Sequence, residues 1–345
     1  MLKMKLPIAI ALLAVLLVPV AVSAAGEGTA PGSFGAASAA PTVNSIEIYR
    51  ASDNTSVNSM TPQVLYYAKL NITSNNKLKH LKEVKATLYY DPTASHAGPG
   101  AAATETCAVL TWTAGTDLWA IDTGLGGTTW QLISASCSRP SDLDATNGDW
   151  LFYFIPGKVA TRAPETGNPT PRWDAQGIAT NKNDQPSTAM YVATEKNMEC
   201  YIEITVAGGV NWGDVPLGLT FEDALYNPRP SSDNITITYI ANGDYSTDVK
   251  SDDWNSGGDT VFLDITGGDP PSAAGYFALE AGATTDNSTA VIVTKAYGPM
   301  DQTGTITADV TGTAVSGNRL WLSLSTTGIL PGLYSGTIWY QIGCR

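Results

Sequence analysis

The sequence predicts an all-β protein built as two antiparallel β-sandwich (immunoglobulin-like) domains in tandem, and three observations predict it. Apolar residues alternate with polar ones over many short runs, as in QVLYYAKLNITS, where Val64, Tyr66, Ala68, Leu70 and Ile72 share one face and Lys69, Asn71 and Thr73 the other. Gly, Pro, Asn and Asp crowd the stretches between these runs. No long window carries apolar residues at the helical spacing.

The chain opens on a short basic start, Lys3 and Lys5, followed by the apolar run LPIAIALLAVLLVPVAVSAA, which ends in small residues. Residues 1–25 read as a secretory signal peptide cleaved after Ala24 or Ala25. Pro7 and Pro19 bracket the run and weigh against a membrane anchor. No second run of spanning length follows, so the mature chain is expected to be secreted with no membrane span. Residues 26–41, GEGTAPGSFGAASAAP, hold one large apolar side chain, Phe34, and read as a flexible leader; a donor strand would need alternating large apolar residues.

From Thr42 the period is two. The N-terminal series covers NSIEIYR, the run at 63–74, a single helical turn at Leu78–Leu81 leading into a strand at Val84–Tyr90, then CAVLTWT, TWQLISAS, WLFYFIPG, AMYVAT and ECYIEITVAG. These strands define a first domain at residues 42–208. A second series, ITITYIANG, YSTDVKS, TVFLDITG, GYFALEA, STAVIVTKAY, GTITADVTG, RLWLSLST and LYSGTIWYQIG, defines a second at 209–345, with Pro331 and Gly332 supplying the turn before the last strand.

Loss of Lys3 and Lys5 with the leader takes the formal net charge from −13 to −15. Such an acidic chain excludes nucleic acid as a partner, because phosphate binding needs a basic surface. Charged residues make up only 15% of the chain, against nine Trp and 15 Tyr. A surface of that kind suits contact with proteins or glycans.

An exported chain with Cys107, Cys137, Cys200 and Cys344 is expected to be oxidised. Three pairings exist and the spacing selects none of them. Cys107 and Cys137 fall in neighbouring predicted strands. Either two internal bridges form, one of them Cys200 to Cys344, or Cys344 and with it Cys200 serve neighbouring subunits. On the closing strand Trp339 stands on the polar side, and Trp321 repeats that arrangement in RLWLSLS. Each ring is covered by a loop or meets another subunit or a sugar. Lys77, Lys79 and Lys82 lie in a lysine-rich stretch beside His80, a local positive patch suited to the acidic surface of an identical copy.

Asp142, Asp144, Asn147 and Asp149 surround a turn and are weak calcium candidates, the bland alternative being ordinary Asx turns. Asn54, Asn71, Asn234 and Asn287 each head an Asn-x-Ser/Thr sequon and are candidate glycosylation sites. No zinc-spaced histidine pair, nucleophile elbow or phosphate loop occurs, so no catalytic activity and no cofactor are expected.

The segments LKHLKEVKATLYYD, ITITYIANGDYSTDVKSDDW and LPGLYSGTIWYQI resemble segments of extracellular β-sandwich proteins from methanogenic archaea. Together with the signal peptide, low charge, high Trp content and few cysteines, the chain resembles the subunit of the proteinaceous tubular sheath around methanogen cells. That resemblance implies a cell-envelope structural role: identical subunits joined edge to edge into hoops and cross-linked by disulfides, with Cys344 as the cross-linker and Cys200 as second choice. The alternative from another class is a secreted glycan-binding module or adhesin using exposed Trp residues.

Overall fold

The computed structural model describes residues 38–93, 98–99, 101–124, 128–163, 172–230, 235–314 and 318–345. Residues 1–37, which include the expected signal peptide and most of the expected leader, and the candidate Asn234 lie outside the described residues. The chain is all-β, 2% helical and 46% strand. Its strands belong to one compact unit, Ala39–Arg345.

The first eleven strands are β1 (Thr42–Arg50), β2 (Ser59–Met60), β3 (Tyr66–Thr73), β4 (Leu81–Asp91), β5 (Cys107–Thr113), β6 (Leu118–Asp122), β7 (Gln131–Leu132), β8 (Asn147–Ile155), β9 (Arg172–Asn181), β10 (Met190–Met198) and β11 (Ile202–Ala207). The others are β12 (Arg229–Pro230), β13 (Thr236–Ala241), β14 (Tyr245–Ser251), β15 (Trp254–Ser256), β16 (Asp259–Leu263), β17 (Tyr276–Gly282), β18 (Val291–Ile292), β19 (Gly298–Gly304), β20 (Thr313–Ala314), β21 (Arg319–Leu324) and β22 (Ile338–Cys344).

Five sheets result. In the N-terminal half a four-stranded sheet, β1-β3-β8-β7, faces a six-stranded one, β2-β10-β9-β4-β5-β6. The C-terminal half holds β11-β13-β20, β12-β21-β17-β16-β15 and β19-β14-β22. Each half encloses its own apolar cluster. The first is aromatic: Trp112, Trp150, Trp173, Phe152 and Phe154 are fully buried among Ile46, Leu70 and Leu88. Trp112 and Trp150 pack with ring centroids 5.7 Å apart. Buried indoles still need acceptors; Trp112 Nε1 donates to Asp117 Oδ1 at 2.7 Å and Trp173 Nε1 to the Thr161 carbonyl at 2.8 Å. The second cluster gathers Tyr239, Phe277, Leu279, Leu320 and Tyr340.

The alternation in β3 places Tyr66, Ala68, Leu70 and Ile72 inside, and the helical turn expected at Leu78–Leu81 is a 3-10 turn at Leu78–His80. Several strands differ from expectation. TWQLISAS gives only Gln131–Leu132, because the chain turns at Ser134–Cys137. Ile202–Ala207, read with the first series, pairs with β13 in the second half. GTITADVTG forms no strand of its own, while GPMDQTG forms β19, where Pro299 is accommodated on an edge strand.

β9 shows no alternation over its first half, Trp173–Gly177. It is a central strand, paired on both edges with β10 and β4, and five consecutive residues from Trp173 to Gly177 are buried, so both faces are covered there and Asp174 and Gln176 lie inside beside Trp173 and Ala175. Gly177 lets the opposite sheet approach: a Cβ there would stand 2.8 Å from Val43 Cγ1.

The halves meet at a polar seam. Asn242, fully buried, donates from Nδ2 to the carbonyls of Ala160 (3.0 Å) and Glu199 (2.7 Å), and accepts at Oδ1 from the Tyr201 amide (2.8 Å). Its own carbonyl accepts from the Arg162 amide at 2.8 Å. Lys158 pairs with Glu203 at 2.9 Å, and Thr129 donates to Asp309 from both its amide and its hydroxyl.

Candidate assembly surface

Cysteine chemistry is decided at this seam. Cys200, just before β11, is bridged to Cys344 at the end of β22, with a Cα–Cα distance of 6.3 Å. The bridge lies within one chain: of the two expected uses of this pair it is the internal Cys200–Cys344 pairing that the fold brings together, in place of the cross-link to neighbours that the resemblance implies. Cys107 and Cys137 are thiols, not partners. Cys107 opens β5 in the six-stranded sheet, whereas Cys137 sits on the turn after β7, against the other sheet, and its Sγ accepts from the Tyr153 amide at 3.2 Å. Burial pushes both thiols up to about 11, so neither is a ready thiolate at neutral pH.

The lysine stretch is not a bare positive patch. Lys77 and Lys79 converge on Asp144 at 3.2 and 2.6 Å, Lys82 pairs with Asp184, and Lys69 reaches Asp149 at 2.8 Å. The Asp144 carboxyl is held below its ordinary range by the hydrogen bonds from Lys79 and then Lys77. Each lysine named as an interface candidate thus has its counter-ion inside the chain, and the surface potential expected there is largely neutralised.

The same pairs dismantle the calcium reading. Asp142 Oδ1 accepts from the Asp144 amide at 2.9 Å, an Asx turn, while Asn147 donates to Asn71 Oδ1 at 2.9 Å. Burial raises the Asp149 carboxyl, but hydrogen bonds from Lys69 and Asn71 outweigh it and the net shift is downward. Asp142 and Asp144 are engaged in the loop before β8, by the Asp144 amide and by Lys77 and Lys79, while Asn147 and Asp149 are engaged with β3. No cluster of three or more His, Cys, Asp or Glu side chains suited to a metal ion occurs among the described residues.

Of the sequons, Asn54 stands exposed on a turn with φ 57 and Asn287 begins a 3-10 turn, half-exposed. Asn71 is half-buried in β3 and its Nδ2 donates to Asp149 Oδ1 at 2.7 Å, so the nitrogen a glycan would occupy is engaged.

Trp321 is 2% exposed, covered by Phe221 and Ala290, which corrects its place among interface candidates. Trp339 is half-buried, and Lys250 Nζ lies 5.0 Å from its ring centroid and 4.7 Å from that of Tyr297. All nine tryptophans are described, and none is exposed: six are buried and Trp119, Trp254 and Trp339 are half-buried. The exposed-tryptophan premise of the adhesin reading is therefore overturned.

β22 itself is a sheet edge. It pairs with β14 from Tyr245↔Cys344 to Ser251↔Ile338 and with no other strand among those described. Its sequence, IWYQIGC, contains no charge and no proline. β11 approaches this strand without forming a ladder with it, tied to it through the Cys200–Cys344 bridge, and Gln341 is its one exposed side chain; an edge of this kind accepts a further strand where its margin is free.

One acid in the same half is out of place. Glu280, on β17, has an Oε2 atom buried without a hydrogen-bond partner, and burial followed by the charge of Asp269 pushes its carboxyl up to about 7. The folded state thus holds this proton more tightly than the unfolded chain. The associated stability is fully present below about pH 4.5 and is lost as pH rises through 7. Glu280→Gln is expected to be about 1 kcal/mol more stable than wild type at pH 8, after allowing for solvent screening of a half-buried group, and equal to it at pH 4.5. Thermal melts of both proteins across that range check this; parallel curves would remove Glu280 as the titrating group.

A comparison with known families finds no family model that matches the chain, and a comparison with curated proteins finds no match.

Proposed function

We propose that this protein is a secreted, non-catalytic structural subunit of a cell envelope, two β-sandwich domains in tandem that assemble with identical copies through open sheet edges. The resemblance to the methanogen sheath subunit suits this role. The observation that carries the reading is β22: a seven-residue edge strand, free of charge and proline, paired on one side only. A head-to-tail contact made by such an edge repeats until it closes as a ring or runs on as a tube. The Cys200–Cys344 bridge then acts as a staple that fixes each subunit, and the joints between subunits are non-covalent.

Sedimentation and electron microscopy of the mature chain test the reading. The wild type is expected to form polymers that survive thiol reductant at low temperature. Gln341→Lys combined with Gly343→Lys, at an exposed side chain and at a glycine with open space around it, is expected to leave monomers by charging the edge. A wild-type chain that stays monomeric at all concentrations overturns the proposal.

A further inference from the structure

An apolar groove of about 520 Å³ opens in the C-terminal half between the loop at 210–217 and the loop at 329–334. Its floor is Trp212, Trp254, Phe277 and Leu322, and the only charged residue in its lining is Asp214. Its rim is aliphatic and unusually exposed: Leu217 is 49%, Leu330 57% and Leu333 78% accessible. Both walls are fastened. Asn227 accepts from Trp212 Nε1 at 3.3 Å and from the Leu322 amide at 2.9 Å, and Asn255 and Ser335 exchange amide-to-carbonyl bonds of 2.9 and 3.0 Å. A pre-formed, largely apolar site with leucine lips and a single carboxylate, Asp214, is built to receive one apolar side chain.

The position of the groove restricts what can fill it. Tyr245 and Cys344 lie at the seam, so Ser251 and Ile338, and beyond them Trp254 and Ser335, lie at the far end of the C-terminal half. In the N-terminal half the end of β8 leads into Lys158–Arg162 at the seam, so Asn147, its partner Thr73 and in turn Thr42 lie at the opposite end. Among the described residues, the chain therefore begins at the end of the N-terminal half away from the seam, and the groove opens at the end of the C-terminal half away from the seam.

We propose that the groove is the receptor for the leader of a neighbouring copy, with Phe34 as the anchor, making the assembly head-to-tail. The leader sequence GEGTAPGSFGAASAAP matches the site in chemistry: one charge, Glu27, one large apolar side chain, and small neighbours that let the backbone approach closely. Its reach decides between own and neighbouring groove. Phe34 lies eight residue steps before Thr42, and eight steps span at most about 28 Å. The path to the groove on the same chain runs the length of β3, crosses the seam and runs the length of β14, and those two strands alone amount to about 50 Å. A reach of about 28 Å is shorter than that path, which favours the groove of a neighbouring copy over the chain's own. The proposal deepens the self-assembly reading and rests on it for its biological meaning.

The test uses the mature chain carrying Phe34→Ala as receptor and a fluorescent peptide of residues 26–41 as probe, read by anisotropy. Binding is expected, and a further Leu333→Glu or Leu217→Glu change in the receptor is expected to weaken it at least tenfold. Leu333 is exposed enough that its variant keeps the fold, as an unchanged melting temperature would show. Wild-type chain is expected to bind the probe more weakly as its own concentration rises, since neighbours then occupy the groove. No binding, or binding unaffected by both groove variants, overturns the inference even if polymers form, and the edge reading then stands alone. Blockage in wild type that is independent of concentration means the leader fills its own groove and also overturns it. Peptide binding by a chain that never polymerises keeps the receptor and discards the polymer.

Discussion

Asn242→Ala is expected to lower the unfolding free energy by about 3 kcal/mol, measured as a reduced urea midpoint. The side chain is fully buried at the seam, and its amide is used to capacity in three directions: two carbonyls, Ala160 and Glu199, receive its Nδ2 protons, and the Tyr201 amide donates to its Oδ1. Alanine leaves all three partners without it. Each unsatisfied buried group costs about 1–3 kcal/mol, with part of the total recovered where water enters the vacated space. The partners also belong to different elements. Ala160 follows β8 in the N-terminal half, while Glu199 and Tyr201 flank the crossing between the halves. The variant is therefore expected to uncouple the two clusters, giving a lower m-value or two transitions where wild type gives one. A loss below about 1 kcal/mol would show that the seam is held by its other contacts, such as Lys158–Glu203.

The strands that sequence revealed and those it hid differ in one physical respect. β3 and β14 line a core on one side and leave the other half-buried over most of their length, so alternation marks them. β9 is covered on both faces and tolerates Asp174 and Gln176 there, so its pattern reads as a loop. Tryptophan was legible as an unusual resource but misread in use. Trp321 stands on the outer face of β21, and only the fold brings Phe221, distant in sequence, over it. The lysine stretch has the same lesson. Lys77 and Lys79 look unopposed in sequence, yet the approach of the loop before β8 to the 3-10 turn delivers Asp144, far along the chain, to both. The groove was invisible for a different reason: VNWGDVPLG and ILPGL carry turn signals, and nothing in a turn announces that its leucines will be left in water opposite another turn. Asn242 lay in a stretch, IANGDYS, that reads only as a hairpin turn, although its side chain is the busiest at the seam.

Cys344→Ser is expected to lower stability by about 3 kcal/mol without changing the size of the species on a non-reducing gel. The bridge closes a loop with a sequence separation of 144. Chain-entropy arguments for a loop of that length give about 5 kcal/mol, and native bridges usually deliver 2–4. The position of this one keeps the effect local as well as global. Beyond Cys344 the Arg345 carbonyl accepts from the Arg162 guanidinium at 2.8 Å and the Arg345 amide donates to Asp244 at 3.0 Å, so the bridge pins the end of β22 at the seam. Without it the edge strand frays from the end at which β14 begins. Thiol counting separates this arrangement from cross-linking between copies. Wild-type protein denatured without reductant should take up two alkyl groups, at Cys107 and Cys137, and four after reduction, whereas native protein at neutral pH should alkylate slowly because burial pushes both thiols up to about 11. A covalent ladder in wild type that disappears in the Cys344 variant would instead place the sulfur between neighbours, and the staple at the seam would have to be abandoned.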